Sequence, residues 1–239
     1  MIKIQKLVKA FGYFPVLRGL DLEIGAGQFV ALLGPNGSGK TTLLRILAGL
    51  SKPTSGTITI GGWSIPDEIA AVRQQLGIVS HQTLLYDTLT AEENLLFFAR
   101  LYNIPTDERM DRIHALLNNV GLGARAKDVV QTFSRGMQQR LAIARALLSD
   151  PAILLLDEPY TGLDQDAAAL LDELLHEVAG VGTSQRTAIM TTHDLRRAYE
   201  LTTHVAILQR GKIGYFGETA VIHDLPALYA ETVEAKTIT

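Results

Sequence analysis

The residues Gly34-Pro35-Asn36-Gly37-Ser38-Gly39-Lys40-Thr41 follow the pattern G-x-x-x-x-G-K-T, a spacing suited to holding phosphate. The glycines let the backbone turn with its N–H groups directed inward, and a helix opening at the end of the loop adds about half a positive charge at its N-terminus. Lys40 offers an ammonium for the β- and γ-phosphates, and Thr41 a hydroxyl that suits Mg²⁺. The flanks agree with this chemistry. Phe29 to Leu33 is an unbroken apolar run, as expected of a strand buried on both faces of a parallel sheet. Leu43, Leu44, Leu47 and Leu50 then recur at helical spacing. A nucleotide is the ligand this stretch predicts.

Other segments supply groups that could work on such a nucleotide. A nucleoside triphosphate with Mg²⁺ needs a carboxylate for the ion, a group that positions water, and donors for charge developing on the γ-phosphoryl. Ile153 to Leu156 is a second apolar run, and it ends in Asp157 and Glu158. Adjacent residues at a strand end point in different directions, so Asp157 can serve the ion while Glu158 faces the water. A solvated acidic loop is the usual reading of such a pair, but ionised carboxylates set beside a core cost free energy unless they are used. His193, in Thr191-Thr192-His193-Asp194 at the end of a third apolar run, suits a γ-phosphate contact, although a lone histidine is more often a satisfied core or cap residue. Gln82 and Phe11, taken singly, read as a polar loop residue and a core aromatic. Ser134-Arg135-Gly136-Met137-Gln138 opens a helix. It is either a second anion site, serving a partner's nucleotide, or an ordinary N-cap, and the residues alone leave both open.

These groups must be positioned by a mixed α/β framework. Ile2 and Ile4, then Leu20, Leu22 and Ile24, alternate with polar residues, which predicts half-exposed antiparallel strands at the start. Thr57 to Ile60 predicts another alternating strand, Pro66 the start of a short helix, and Leu76 to Val79 a strand, followed by the polar break Ser80-His81-Gln82. Between 83 and 150 the periodicity is helical. Thr90-Ala91-Glu92-Glu93 reads as a capping box, a second helix follows Pro105 and stops at Gly121, and a third begins near Ser134. After His193 the pattern predicts a strand over Val205–Leu208, a glycine turn, a strand over Ile213–Phe216, and a short polar tail after Leu228.

The 239 residues suit one domain with an inserted lobe. A net charge of −3 supplies no global basic field, and no nucleic-acid partner is expected. The chain has no cysteine, which excludes disulfides and thiol catalysis. The first residues are too polar for a signal peptide, and no stretch approaches the eighteen or so apolar residues of a membrane span. Work at a membrane would require docking onto another chain.

In combination and order, these segments resemble the ATP-binding cassette, the ATPase subunit of ABC transporters. The matching pieces are Gly34 to Thr41 as Walker A, Gln82 as the Q-loop, Ser134 to Gln138 as the signature, Ile153 to Glu158 as Walker B, Gly162-Leu163-Asp164 as the D-loop, and His193 as the H-loop. The resemblance implies an α/β P-loop NTPase core with a mostly parallel sheet, an N-terminal antiparallel β subdomain and an inserted α-helical subdomain. The expected division of the single domain 1–239 is a core of 1–82 and 151–239 with a helical subdomain of 83–150. ATP and Mg²⁺ are the implied cofactors. Phe11 and Val16 would contact adenine and ribose; Gly34, Pro35, Asn36, Gly37, Ser38, Gly39, Lys40, Thr41 and Thr42 would hold phosphate. Thr41, Gln82 and Asp157 would surround the ion, and Glu158, His193 and Lys40 would carry catalysis. Ser134, Arg135, Gly136, Met137 and Gln138 would meet the nucleotide of a second ATPase subunit, identical or paralogous, with Asp164 at the same interface.

The signature departs from the usual Leu-Ser-Gly-Gly-Gln. Ser134 and Gly136 are retained, Met137 replaces a hydrogen-bonding glutamine, and Arg135 adds a charge near phosphate. Phe-Ser-x-Gly-Met resembles the signature of ATPases paired with ABC-2-type exporters. The stretch from His81 to Leu95 is similar to haem-exporter-like ATPases of cytochrome c maturation. The implied function is an ATP-hydrolysing subunit, peripheral on the cytoplasmic face of the cell membrane, that drives export through an integral-membrane permease subunit received near Leu84 to Leu101. A soluble ABC-type ATPase of cluster assembly is the alternative.

Overall fold

The computed structural model describes residues 1–80, 82–179 and 186–234 of the chain. His81 and the residues after Glu234, which enter the sequence expectations above, lie outside the described residues. The alternating N-terminal segments form β1 (Ile2–Phe11) and β2 (Phe14–Ile24), an antiparallel pair with Ile2 opposite Ile24 and Ile4 opposite Leu22. β3 (Phe29–Leu33) breaks the alternation and is buried throughout. The glycine loop and α1 (Lys40–Leu47) follow it. The chain then returns to β1 as β4 (Ser55–Ile60) and adds β5 (Trp63–Ile65), completing a four-stranded antiparallel sheet in the order β2-β1-β4-β5.

The next helix, α2 (Ile69–Gln74), begins three residues after Pro66 rather than at it. The Glu68 carboxylate accepts the Ser64 N–H at 2.9 Å, closing a turn that delays the helix. β6 (Leu76–Val79) leads into three helices, α3 (Ala91–Leu101), α4 (Arg109–Asn119) and α5 (Arg135–Leu147). The capping box at the start of α3 is formed: Thr90 Oγ1 accepts the Glu93 N–H at 3.1 Å, and Glu93 accepts the Thr90 N–H at 2.8 Å. At its far end α5 presses on the sheet. A Cβ placed on Gly77 of β6 would lie 2.6 Å from the Ala146 carbonyl oxygen, so only glycine fits there.

The remaining elements are β7 (Ile153–Asp157), α6 (Gln165–Ala179), β8 (Thr187–Thr191), α7 (Leu195–Leu201), β9 (His204–Gln209), β10 (Lys212–Glu218) and α8 (Leu225–Glu234). α8 corrects the expected polar tail. Leu228, Tyr229 and Val233 lie on one face of this helix, against Ala31, Leu33, Val205 and Ile207, while Glu231 and Glu234 are exposed on the rest of it.

The second sheet runs β10-β9-β3-β8-β7-β6, parallel except for β10 on β9. Successive residues of a strand face opposite ways, and both faces are apolar. Leu154 and Leu156 belong to a cluster with the helices α3 to α6, whereas Ile153 and Leu155 join α1 and the antiparallel sheet. β6, β7, β8 and β3 therefore end at one rim, and the chain leaves them at Ser80, Glu158, Thr192 and Gly34. The sheet order sets β8 between β3 and β7, so Thr191 pairs with Leu32 on one side and Asp157 on the other.

Candidate functional site

At the β3 rim the loop turns through backbone conformations that favour glycine. Gly34 has φ +148°, and a Cβ there would lie 2.2 Å from the Leu208 carbonyl oxygen of β9. Gly39, at φ +112°, stands at the cap position of α1 without a side chain to bond the helix's first amides. Those N–H groups are thereby left open to an anion. Lys40 curls back over its own loop and donates from Nζ to the carbonyls of Gly34 at 2.7 Å and Pro35 at 3.3 Å. Burial pushes its ammonium below the ordinary lysine value, while the nearby carboxylates of Glu158 and Asp157 act in the opposite direction. Ser38 is buried, and its hydroxyl oxygen has no hydrogen-bond partner among the described residues.

The acidic rim residues stand beside this loop. Thr41 Oγ1 lies 3.3 Å from Asp157 Oδ1, a pair of oxygen donors that suits a hard cation completing its shell with phosphate and water. Thr191 Oγ1 donates to the same carboxylate oxygen at 2.7 Å. Directly after β7 the backbone turns sharply: Glu158 has φ +51°, in the left-handed region that residues with a side chain seldom adopt. Its carboxylate Oε1 lies 3.0 Å from His193 Nδ1. Together these elements border a cavity of about 480 Å³. Asn36, Gly37, Gly39, Lys40, Thr41 and Thr42 line it from the loop and α1, Val16 from β2, and Glu158 and His193 from the rims of β7 and β8.

Some of the predicted residues lie elsewhere. Phe11 is 55 % exposed on the antiparallel sheet with Lys9 Nζ 4.8 Å from its ring centre, and it is not part of the cavity wall. Gln82 is exposed beyond β6, three strands from β3, a separation of about 14 Å at the usual strand spacing. Ser134 to Gln138 form the start of α5, outside the cavity. Ser134 is exposed, and its Oγ accepts the Met137 N–H at 3.3 Å. Asp164 caps α6 by accepting the Ala167 N–H at 2.8 Å. Ala167 in turn faces the Ser134 turn, where a Cβ on Gly136 would lie 2.6 Å from the Ala167 Cβ. Thr191 escaped the sequence reading. Its only signal was a hydroxyl at the end of an apolar strand, and its partners follow from strand order.

The family described as ABC transporter matches residues 17–161, which include the glycine loop, Gln82, the Ser134 turn and the acidic pair. The chain belongs to the ABC transporter family. As an ATPase of that family it binds and hydrolyses ATP. It is 36 % identical over 213 residues to the linearmycin resistance ATP-binding protein LnrL of Bacillus subtilis (strain 168), covering 89 % of this chain and 68 % of that protein. To the Nod factor export ATP-binding protein I of Cupriavidus metallidurans it is 37 % identical over 212 residues, covering 89 % and 69 %. Its fold is similar to a dimeric ATP-binding cassette solved in a post-hydrolysis state with ADP and Pi, with a TM-score of 0.80 and 31 % identity over 92 % of this chain and 99 % of that one. Among the described residues of this ABC transporter ATPase, no helix is long and apolar enough to cross a membrane.

Proposed function

We propose that this chain closes with a second ATPase subunit around two ATP molecules, head to tail, and so drives export through an integral-membrane subunit at the cytoplasmic face. One observation carries the reading. The cavity gathers Lys40, Thr41, Glu158 and His193, while the exposed Ser134 turn stands outside it on α5. A site built from one chain thus has the phosphate loop and the hydrolytic groups, and lacks the signature donors. A second copy or paralogue would bring its Ser134 and Gly136 to the γ-phosphate, with Asp164 at the same interface.

Within each half, Phe11 and Val16 would attend the base and ribose, and residues 34–42 the phosphates. Thr41 and Asp157 would hold Mg²⁺, which on binding neutralises charge on the phosphate oxygens, and Gln82 would join them only on a movement of the segment after β6 toward the ion. The two oxygens 3.3 Å apart at Thr41 and Asp157 fit that ion. Glu158 would orient the attacking water and accept its proton. His193, 3.0 Å from that carboxylate, would hold it in place and donate toward the γ-phosphoryl. Lys40 would exchange the Gly34 and Pro35 carbonyls for phosphate oxygens.

We assign the membrane subunit to the helical subdomain of 83–150, with the core formed by 1–82 and 151–239. An aromatic patch supports this: Tyr86 and Phe97 meet edge to face at 4.9 Å, Phe98 and Tyr102 continue the row, and Leu84 and Leu101 flank it at about 60 % exposure. The relatives named for export and resistance support the direction of transport.

Glu158→Gln tests the catalytic assignment. Hydrolysis is expected to fall by about three orders of magnitude while ATP binding survives and an ATP-bound dimer accumulates. Near-normal turnover would refute it.

A further inference from the structure

Thr191 ends β8 in the middle of the central sheet and is fully buried. Its hydroxyl is used twice. Oγ1 donates to Asp157 Oδ1 at 2.7 Å and accepts the Glu158 N–H at 2.9 Å. The Thr191 carbonyl is a second acceptor for that N–H, at 3.2 Å. One side chain therefore bridges the carboxylate of one acidic residue and the backbone of the next.

Both partners need such a bridge. Glu158 sits at φ +51°, a conformation that persists in a residue with a side chain only where the surroundings enforce it. The direction of its carboxylate follows from that turn. Asp157 lies at the buried end of β7, and its carboxylate rotation decides which oxygen faces Thr41. A hydroxyl can donate to one group and accept from the other through a single oxygen atom. The neighbouring Thr192, just past the end of β8, has its own hydroxyl engaged, accepting the Asp194 N–H at 3.0 Å.

We infer that Thr191 is a positioning residue for hydrolysis, setting the Asp157 carboxylate and the Glu158 turn together through a single buried hydroxyl. The inference rests on the reading of Glu158 as the hydrolytic carboxylate. It adds the group that aims it, on a strand that lies between the phosphate loop and the acidic pair.

The test uses the full chain with Thr191→Val and Thr191→Ser, each alone and combined with Glu158→Gln. Thr191→Val is expected to lower kcat by about ten- to a hundredfold, as small misplacements of catalytic groups do, with KM for ATP within about threefold. The ATP-bound dimer should accumulate in size-exclusion chromatography, a trapping that general damage to the fold would not produce. Thr191→Ser, which restores the hydroxyl, should hold kcat within about threefold of the unmodified chain. In the Glu158→Gln background Thr191→Val should cost distinctly less than in the parent, because only the Asp157 half of the bridge remains to be lost.

Wild-type kcat in Thr191→Val would overturn the inference, as would an equal loss in both backgrounds. If the valine variant does not fold, Thr191→Ala against Thr191→Ser makes the same comparison, and equal rates would overturn it. Normal turnover in Glu158→Gln alone would instead remove the reading on which the inference rests. An inactive Glu158→Gln beside a fast Thr191→Val removes only the role of Thr191.

Discussion

Arg145 Nη1 donates to the Thr83 carbonyl at 2.9 Å, tying the helix that starts at Ser134 to the segment that follows Gln82. The same guanidinium reaches the carbonyls of Leu84 at 3.2 Å and Ile78 at 3.0 Å, and stands 5.2 Å from the Phe98 ring centre. Burial lowers its pKa, yet an arginine stays charged, so the three carbonyls satisfy a cation inside the protein. Arg145→Met would leave those carbonyls without their donor. It is expected to destabilise the chain by about 3 kcal/mol, with Arg145→Lys recovering part of the loss. Urea unfolding of the three proteins checks this, and a methionine variant within about 1 kcal/mol of the parent would contradict it.

The contact between Gly136 and Ala167 predicts a compensating pair. Gly136→Ala places a methyl group 2.6 Å from the Ala167 Cβ, and overpacking of this kind costs about 1–3 kcal/mol. Ala167→Gly in the same chain should return most of that loss, less the cost of about 1 kcal/mol for a glycine in α6. Because Gly136 is also proposed to meet a partner's nucleotide, nucleotide-free stability is the quantity to measure. A double-mutant cycle without coupling would refute the packing argument.

Asp194 supplies a pH dependence. Partial burial opposes its ionisation, but the carboxylate accepts the Arg197 N–H at 3.0 Å and Arg197 Nη1 at 2.7 Å, and the net effect holds its pKa below the ordinary value. With the folded value the lower one, the unfolded chain binds more protons between the two. The stabilisation is therefore complete above the ordinary aspartate range, near pH 4, and is lost as pH falls through the folded value. Asp194→Asn can keep the helix cap without the charge. It should be less stable than the parent at neutral pH and should lose less on acidification from about pH 5 to 3. Urea midpoints across that range provide the check, and parallel curves would contradict it.

The elements legible in the sequence are those whose environment is uniform along their length. β3, β7 and β8 are buried on both faces, so each reads as an apolar run, and Thr90 with Glu93 announces the start of α3 by local hydrogen bonding alone. The glycine loop is equally local, since its pattern encodes its own turn. What the sequence does not carry is the order in which strands pair. Thr191 acquires its partners only because β8 lies between β3 and β7, and Gln82 stands apart because β6 is at the sheet edge. Gly136 has a local reading as part of a helix-opening turn, which hides its contact with Ala167 some thirty residues on. The apolar face of α8 is hard to read because Glu231, Thr232 and Glu234 interleave with Tyr229 and Val233, so no apolar run marks its second half.

The close approach of Gly77 to the Ala146 carbonyl, together with the bonds of Arg145, clamps α5 at one end and leaves Ser134 at the other. A helix held this way is a lever. Its thirteen residues reach about 20 Å at about 1.5 Å per residue, so a rotation of roughly 3° about the clamped end carries Ser134 through about 1 Å of arc. The fulcrum lies at the edge of the same sheet whose rim carries Asp157 and Glu158. A tilt too slight to disturb the packing there would decide whether a hydroxyl at the far tip meets or misses a hydrogen-bonding partner.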